Sequence, residues 1–198
     1  GNIIQGILLL ILIPIYTHYL TPEDFGFIAL MVITISLITS LVIYPIDRFY
    51  FKPGNIERKG LILFNLFFFM ASKTLLFAIL YWVLGDFIFQ FLSNDPQFKK
   101  AFQLYVGILI LSPPSYFIYN FLRLTGMTKR HVYLTVSKAF LSFALSIFLL
   151  AEMDWGVLAV VYGEIAGISI VVLFGMPVLF KHFEYKVSSS IIVEPIKY

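Results

Sequence analysis

The chain has 198 residues, of which 60% are hydrophobic, 18% aromatic and only 13% charged, with 14 Lys and Arg against 11 Asp and Glu. A water-soluble globule of this length needs far more polar surface, so composition excludes that class and favours a protein surrounded by hydrocarbon. The absence of cysteine also excludes disulfides, thiolate nucleophiles and cysteine-ligated metals.

Six apolar runs follow one another along the chain, and none alternates with the period of two that a membrane β-strand shows. Each run has about 19 to 25 residues, enough for a helix to cross a hydrocarbon core of about 30 Å. The sequence therefore predicts an all-α integral membrane protein with six transmembrane helices. The predicted spans are approximately 2–20, 25–44, 61–84, 101–122, 133–151 and 156–180.

The connection between the first two spans lies in the sequence "YLTPEDFGFIAL" (19–30). Thr21 is an N-cap residue by type, and Pro22 suits the first helical position. Glu23 and Asp24 place carboxylates in the first turn, where the helix dipole favours negative charge. This pattern predicts a tight interfacial turn that starts the second helix, and we assign it no role beyond capping.

Basic residues are distributed unevenly between the two sets of loops. All of the 14 Lys and Arg residues except Lys73, Lys99 and Lys100 lie at or after the inner ends of the second, fourth and sixth spans or at the start of the fifth. Because positively charged loops remain in the cytoplasm, this side and both ends of the chain are predicted to be cytoplasmic. The basic pI of about 9.0 then reflects topology, and we expect no nucleic-acid partner.

Lys73 and Glu164 are ionisable residues deep inside predicted spans, where a charge is costly and usually faces a bundle interior or a wet cavity. Lys73 is midway along the third span, with Asn65 and Ser72 on the same side, and Glu164 is in the sixth. Helical rise places Lys73 about 16 Å and Glu164 about 12 Å below the outer ends of their spans, close enough for an ion pair. Lys73 is a candidate substrate contact, and Glu164 is a candidate proton or ion coupling group. The alternatives are a purely structural pair or, for Lys73, a side chain that extends to the interface.

Adjacent prolines, Pro113 and Pro114, remove two backbone donors from the fourth span and predict a kink or break there. Polar residues recur at helical spacing around and beyond them and again in the fifth span. If the two stripes face each other, they form a cationic funnel open to the cytoplasm; ordinary hydrogen bonding between helices is the alternative, and the preferred one for the serines. The stripes comprise Ser112, Tyr116, Tyr119, Asn120 and Arg123, and Thr135, Lys138, Ser142 and Ser146.

Other motifs point to packing rather than to chemistry. In the sixth span, Gly163 and Gly167 have the GxxxG spacing, which predicts close packing against another helix. No glycine-rich phosphate loop, HExxH or GxSxG occurs, and His18, His131 and His182 lack the spacing of a metal site. We therefore expect no enzyme activity, no metal and no cofactor.

Four segments, in order and spacing, carry a family resemblance. They are "GNIIQGILLLILIPIYTHYLTPEDFGFIAL" (1–30), "DRFYF" (47–51), "LRLTGMTKRHVYLTVSK" (122–138) and "WGVLAVVYGEIAGISIVVL" (155–173). The chain resembles the bacterial oligosaccharide flippases of the polysaccharide-biosynthesis, O-antigen type. These are relatives of the lipid II flippases and of the multidrug and toxin extrusion transporters, within the multidrug, oligosaccharidyl-lipid and polysaccharide exporter superfamily.

The resemblance implies two six-helix lobes around a central cavity. It also implies translocation of a polyprenyl-pyrophosphate-linked oligosaccharide across the bacterial cytoplasmic membrane by alternating access, for export of cell-surface polysaccharide such as capsule or lipopolysaccharide. Arg48, Arg123 and Lys138 are then candidates for capture of the pyrophosphate, and Lys73 is a candidate for a deeper contact. Arg48 serves equally well as a topology determinant.

Transporters of this type have twelve or more spans, whereas this chain offers six. We therefore expect residues 1–180 to form the amino-terminal lobe, and residues 181–198 to form a cytoplasmic tail or the start of a linker to a second lobe. The sequence opens inside a span, which favours a fragment; the alternative is a lobe that pairs with a second copy or another chain. Other expected partners are the lipid-linked oligosaccharide, membrane lipid and, as a further candidate, a polysaccharide polymerase.

Two other functions compete with this interpretation. A cation-coupled multidrug exporter of the same superfamily would be expected to show more carboxylates inside its spans than Glu164 alone. A non-transporting membrane partner of polysaccharide assembly would be insensitive to loss of charge in the spans. Replacing Lys73 or Arg123 with Ala would then leave the exchange of a labelled lipid-linked sugar unchanged.

Overall fold

The computed structural model describes residues 13–43, 59–90 and 95–186, and all regular secondary structure in these ranges is helical. A short helix α1 covers 13–19. The five helices that follow are each long and apolar enough to cross a membrane, and the predicted all-α multi-pass fold is confirmed. They are α2 (Pro22–Ile43), α3 (Lys59–Phe89), α4 (Pro96–Leu124), α5 (Thr128–Met153) and α6 (Val157–Phe180). Residues 2–12 of the first predicted span lie outside the described ranges.

Three helices extend beyond their predicted spans. The helix α3 ends five residues later than predicted, at Phe89, and α4 and α5 each start five residues earlier. At α4 the reason is a cap, because the Asp95 carboxylate accepts from the Gln97 backbone N–H and Pro96 occupies the first turn. Hydropathy marks the segment suited to hydrocarbon, whereas helical hydrogen bonding continues through polar residues until a cap ends it.

The start of α2 matches the predicted capping pattern. The Thr21 Oγ1 accepts from the Asp24 N–H at 3.2 Å, and the Asp24 carboxylate accepts from the Thr21 N–H at 2.8 Å and from its hydroxyl at 2.9 Å. Each of the two side chains thus satisfies a backbone donor of the other residue, and Pro22 takes the first helical position. The predicted N-cap is confirmed.

We expect Thr21→Ala to destabilise the protein by about 1 kcal/mol, the usual cost of losing an N-cap side chain. Thermal unfolding of the detergent-purified protein measures this change. Thr17→Ala is the matched control, because the Thr17 hydroxyl only donates to the Pro14 carbonyl within α1. An equal loss of stability in both variants would show that the Thr21–Asp24 pair stabilises the protein no more than the Thr17 hydrogen bond does.

The helix α4 lies at the centre of the bundle and packs against α2, α3, α5 and α6. Fully buried apolar side chains on this helix belong to two core clusters, one along its first half with Leu109 and one along its second half with Ile118 and Leu122. The end of the bundle that holds Thr21 and Gly156 is called the Thr21 end, and the end that holds Gly126 and residues 181–186 is the Gly126 end.

The two adjacent prolines lie inside α4, which runs from Pro96 to Leu124 without interruption. The alternative of a broken helix is therefore wrong, while the kink at Pro113 and Pro114 stays a prediction. Near this point, the Ser115 hydroxyl donates to the Ser112 carbonyl at 2.8 Å. Neighbouring helices enclose this part of α4, which is the setting in which membrane helices tolerate proline.

The segment after α6, residues 181–186, folds back onto the start of α3 at the Gly126 end. Asn65 is buried and donates to the carbonyls of Leu61 and Lys186, both at 2.8 Å. Phe183 is 9% exposed, and its ring packs against the rings of Phe64 and Phe67. The chain that leaves α6 is thus attached to α3 before residue 187, where the described range ends.

Candidate functional site

A cavity of about 540 Å³ lies in the middle of the bundle, and its described lining residues come from α1, α2, α4, α5 and α6. Near the Thr21 end it is bordered by a small apolar cluster of Leu20, Leu149, Leu150 and Ala159. The packed margin of this cluster includes Tyr16, Ile28 and Val160, which also line the cavity. The described lining thus ends in packed apolar side chains on the Thr21 side.

The two polar stripes of the sequence meet at this cavity. The helix α4 contributes Ser112, Tyr116 and Tyr119, and α5 contributes Lys138, Ser142 and Ser146. The remaining stripe residues, Asn120, Arg123 and Thr135, do not line the cavity. The Thr135 hydroxyl donates to the His131 carbonyl. Arg123 is exposed, and its guanidinium donates to the Asn120 side-chain oxygen at 2.9 Å.

One ion pair lies in the cavity wall, between α5 and α6. The Lys138 ammonium donates to Glu164 Oε1 at 2.7 Å, and the Ser142 hydroxyl donates to Glu164 Oε2 at 3.2 Å. The two charged side chains are 26% and 38% exposed, so each is partly desolvated and still reachable from the cavity. The carboxylate is therefore held by two donors from the neighbouring helix while it faces the space that a substrate would occupy.

Close contact between α5 and α6 makes this pair possible. A Cβ atom on Gly163 would overlap the Ser146 hydroxyl and the Ser142 carbonyl, and one on Gly167 would lie 2.8 Å from the Lys138 carbonyl. Only a residue without a side chain permits this approach, which brings Glu164 within reach of the Lys138 and Ser142 side chains. The GxxxG pair thus lies at a helix contact in the structure, against α5.

Lys73 is not the partner of Glu164, so the ion pair envisaged from depth is wrong. The Lys73 ammonium lies 3.5 Å from the Leu41 carbonyl and 4.6 Å from the centre of the Phe69 ring, on the α2 side of α3. Because α3 continues to Phe89, Lys73 is about 24 Å from the end of its helix, whereas Glu164 is about 10 Å from the start of α6. Lys73 is also absent from the cavity lining.

The four basic residues predicted to contact the substrate therefore do not all lie at one site. Lys138 lines the cavity, Lys73 and Arg123 do not, and Arg48 lies outside the described residues. Among the described lining residues the formally charged ones are Lys138 and Glu164, which balance each other. The predicted funnel of polar stripes is present, but its described part carries no excess of positive charge.

Hydroxyl groups form most of the polar lining. Sequence reasoning missed Tyr16, Ser36, Thr39 and Tyr105, which reach the cavity from α1, α2 and α4. The signal available was weak, since a single hydroxyl in an apolar span usually indicates packing. Within the described part of the chain, the hydroxyl oxygens of Tyr119 and Ser146 are buried and make no hydrogen bond of standard length and angle, although Thr135 lies beside the first and Tyr16 beside the second.

The rest of the lining is apolar and is shared among the helices: Ile28, Val32 and Ile35 on α2, Ile108 on α4, Phe143 on α5, and Val160 and Ile168 on α6. Hydroxyls, one ion pair and apolar side chains thus line the same cavity. Among the described residues no group of three or more His, Asp or Glu is placed to hold a metal ion. The mixed lining suits an amphiphilic ligand.

Comparison with known proteins gives one match. The MatE family model matches residues 50–149, half of the chain, and this match contains the two prolines, the polar stripe of α4 and Lys138. Glu164 lies beyond the matched region. No curated protein and no solved structure matches the chain. The match covers half of the sequence and agrees with the apolar helices and the polar cavity between them, and the chain therefore belongs to the MatE family of membrane transporters.

Proposed function

We propose that this chain forms one lobe of a transporter that moves a polyprenyl-pyrophosphate-linked oligosaccharide across the bacterial cytoplasmic membrane by alternating access. A second lobe, or a second copy of this one, completes the central cavity. The observation that carries the proposal is the amphiphilic cavity, in which many hydroxyls and one ion pair lie among apolar side chains. The family match supports membrane transport, and the resemblance to oligosaccharide flippases supports the lipid-linked substrate.

The hydroxyl lining suits a sugar head group. Ser, Thr and Tyr hydroxyls both donate and accept, so they can replace the water around a polyol one hydrogen bond at a time. Such exchange needs no single fixed geometry, which fits a bulky head group that must leave again.

The Lys138–Glu164 pair supplies the charged part of the mechanism. A pyrophosphate that approaches Lys138 competes with the Glu164 carboxylate for the same ammonium group. Once displaced, that carboxylate would lie beside an anion in a partly desolvated wall, where protonation lowers the repulsion. Substrate binding would therefore be coupled to uptake of a proton at Glu164, and release of the substrate would restore the ion pair.

A second candidate is a cation-coupled exporter of amphiphilic drugs. The observation in its favour is that the described cavity has one carboxylate, seven apolar lining residues and no excess of positive charge. An organic cation would then compete with Lys138 for Glu164, instead of an anion competing with Glu164 for Lys138. The two functions thus assign opposite members of the pair to the substrate.

The test is a transport assay on the full-length protein reconstituted in vesicles. We expect exchange of a fluorescent polyprenyl-pyrophosphate-linked oligosaccharide between leaflets, lowered about tenfold or more by Lys138→Gln because a charge-assisted contact is lost. Lys129→Gln is the control, since Lys129 is exposed at the start of α5. Transport of an organic cation without exchange of the lipid-linked sugar would favour the drug exporter. Activity on neither substrate would point to the assembly partner.

A further inference from the structure

Tyr116 differs from the other aromatic residues of the described cavity lining in its exposure. It is 41% exposed, whereas Tyr105 is 4% exposed and the remaining aromatic side chains of the lining are partly buried. The residues on either side of Tyr116 in the chain, Ser115 and Phe117, are buried, and α4 packs against four other long helices. An aromatic ring in the second half of α4 is thus open to the cavity.

Hydroxyl side chains that are not buried share the cavity with this ring. Ser112 precedes Tyr116 by four residues, so both lie on the same face of α4, about 6 Å apart along its axis. Ser36 and Thr39 reach the cavity from α2. Ser36 is exposed, and Thr39 and Ser112 are partly exposed. The cavity therefore combines an open aromatic ring with groups that can form hydrogen bonds to a ligand.

This combination matches the chemistry of a pyranose. The C–H groups on one face of the sugar ring are apolar, whereas its hydroxyl groups project around the rim. The electron-rich face of an aromatic ring attracts the partial positive charge of such C–H groups. Hydroxyl side chains can donate to the rim of the sugar and accept from it. An alkyl side chain cannot replace the aromatic ring in this contact, because it has no electron-rich face.

Tyr116 and Lys138 lie at similar depths in the bundle. Only residues 125–127 connect α4 to α5, so the adjoining ends of these helices are level. By helical rise, Tyr116 is about 12 Å from the end of α4 and Lys138 about 15 Å from the start of α5, and both residues line the cavity. In the proposed function Lys138 contacts the pyrophosphate, to which the first sugar is bonded directly. A pyrophosphate at Lys138 therefore brings the first sugar to the depth of Tyr116.

We infer that the Tyr116 ring stacks against the sugar that is bonded directly to the pyrophosphate. This inference rests on the proposed function and adds to it a residue that recognises the apolar face of a sugar. The contact favours a pyranose over an acyclic polyol, which has no such face. Because the contact needs the ring of Tyr116 and not its hydroxyl, Tyr116→Phe and Tyr116→Leu are expected to behave differently.

The test measures binding of three probes to the full-length protein in nanodiscs. The probes are lipid-linked oligosaccharide purified from the protein's own membranes, the same lipid trimmed to its first sugar, and bare polyprenyl pyrophosphate. Tyr116→Leu should weaken binding of both sugar-bearing probes about fivefold to tenfold and leave the bare probe unchanged. Tyr116→Phe should bind all three like the unmodified protein. Tyr133→Leu is the matched control, since Tyr133 is 69% exposed on α5 and does not line the cavity.

Four results would overturn the inference. No loss in Tyr116→Leu would mean that the ring does not contact the sugar, and an equal loss for all three probes would mean that the side chain only shapes the cavity. A loss in Tyr116→Phe as large as that in Tyr116→Leu would assign the contact to the hydroxyl. A loss for the complete oligosaccharide alone would place a more distant sugar at the ring.

Leaflet exchange by the unmodified protein separates this inference from the proposed function. If the protein exchanges lipid-linked oligosaccharide in vesicles, each of these four results removes the stacking contact alone. If it does not, the proposed function fails as well.

Discussion

Glu164→Gln should lower transport by about 10- to 100-fold while the protein remains folded, the range expected when a charge-assisted hydrogen bond is lost. The amide oxygen of Gln can still accept from Lys138, and its N–H can donate to the Ser142 hydroxyl oxygen, so the helix contact is preserved. In the proposed mechanism, what disappears is the negative charge that competes with the substrate and the group that takes up a proton. The measurement is leaflet exchange of lipid-linked oligosaccharide as a function of pH.

Glu152→Gln is the matched control, because Glu152 is exposed at the end of α5. In the unmodified protein we expect exchange to depend on pH, and in Glu164→Gln we expect the residual exchange to lose that dependence. Unchanged exchange with unchanged pH dependence in Glu164→Gln would show that the carboxylate serves only to hold α5 and α6 together.

Replacing Lys138, the other member of the ion pair, is expected to lower the stability of the protein as well as its transport. Lys138→Met leaves Glu164 without its counter-ion and should destabilise the protein by about 1 to 2 kcal/mol, less than for a fully buried pair because both groups are partly exposed. Adding Glu164→Gln to that variant should restore most of the lost stability, since no uncompensated charge remains. Transport should stay low in the double variant, which separates the structural role of the pair from its role in transport.

The second large effect is expected at Gly163. Gly163→Ala places a methyl group against the Ser146 hydroxyl and the Ser142 carbonyl of α5. Because a backbone carbonyl cannot move aside cheaply, the variant should lose about 3 kcal/mol of stability, the upper range for overpacking. The measurement is the midpoint of thermal unfolding in detergent, with exchange activity recorded at a temperature where the variant is still folded.

Gly26→Ala is the control for that variant. Gly26 is also helical. Apart from its chain neighbours and the nearby backbone of its own helix, no atom lies within 4 Å of a Cβ added there. This substitution should stabilise the protein by about 0.5 to 1 kcal/mol through helix propensity alone. A Gly163→Ala variant as stable as the unmodified protein would mean that α5 and α6 can separate at little cost, and the ion pair should then be weakened as well.

Sequence reasoning identified the helices and the two polar stripes because both depend on local periodicity. The capping residues Thr21 and Asp24 were also recognisable, since a cap involves residues three positions apart. However, the depth of a residue below the end of its predicted span was a poor guide to which residues form an ion pair. Lys73 lies away from Glu164 because α3 packs mainly against α4 and α2, and which helices are neighbours is not marked by any apolar pattern.

The partner of Glu164 could not be read from the pattern either. Lys138 and Glu164 were both singled out, but their pairing depends on the relative position of α5 and α6 along their axes. That position is set by contacts of Gly163 and Gly167 with particular atoms of Ser142, Ser146 and Lys138. Such contacts appear only when two helices are placed together. The same reason explains why Tyr16, Ser36 and Tyr105 were missed as lining residues.

The central place of α4 bears on how access to the cavity can alternate. Every other long helix packs against α4, and Asn65 ties the chain after α6 to the start of α3. Opening a path by sliding one of these helices would break several packed contacts at once. We therefore expect the described helices to rotate as a single rigid body, so that the Lys138–Glu164 pair keeps its geometry while the lobe turns against its neighbour.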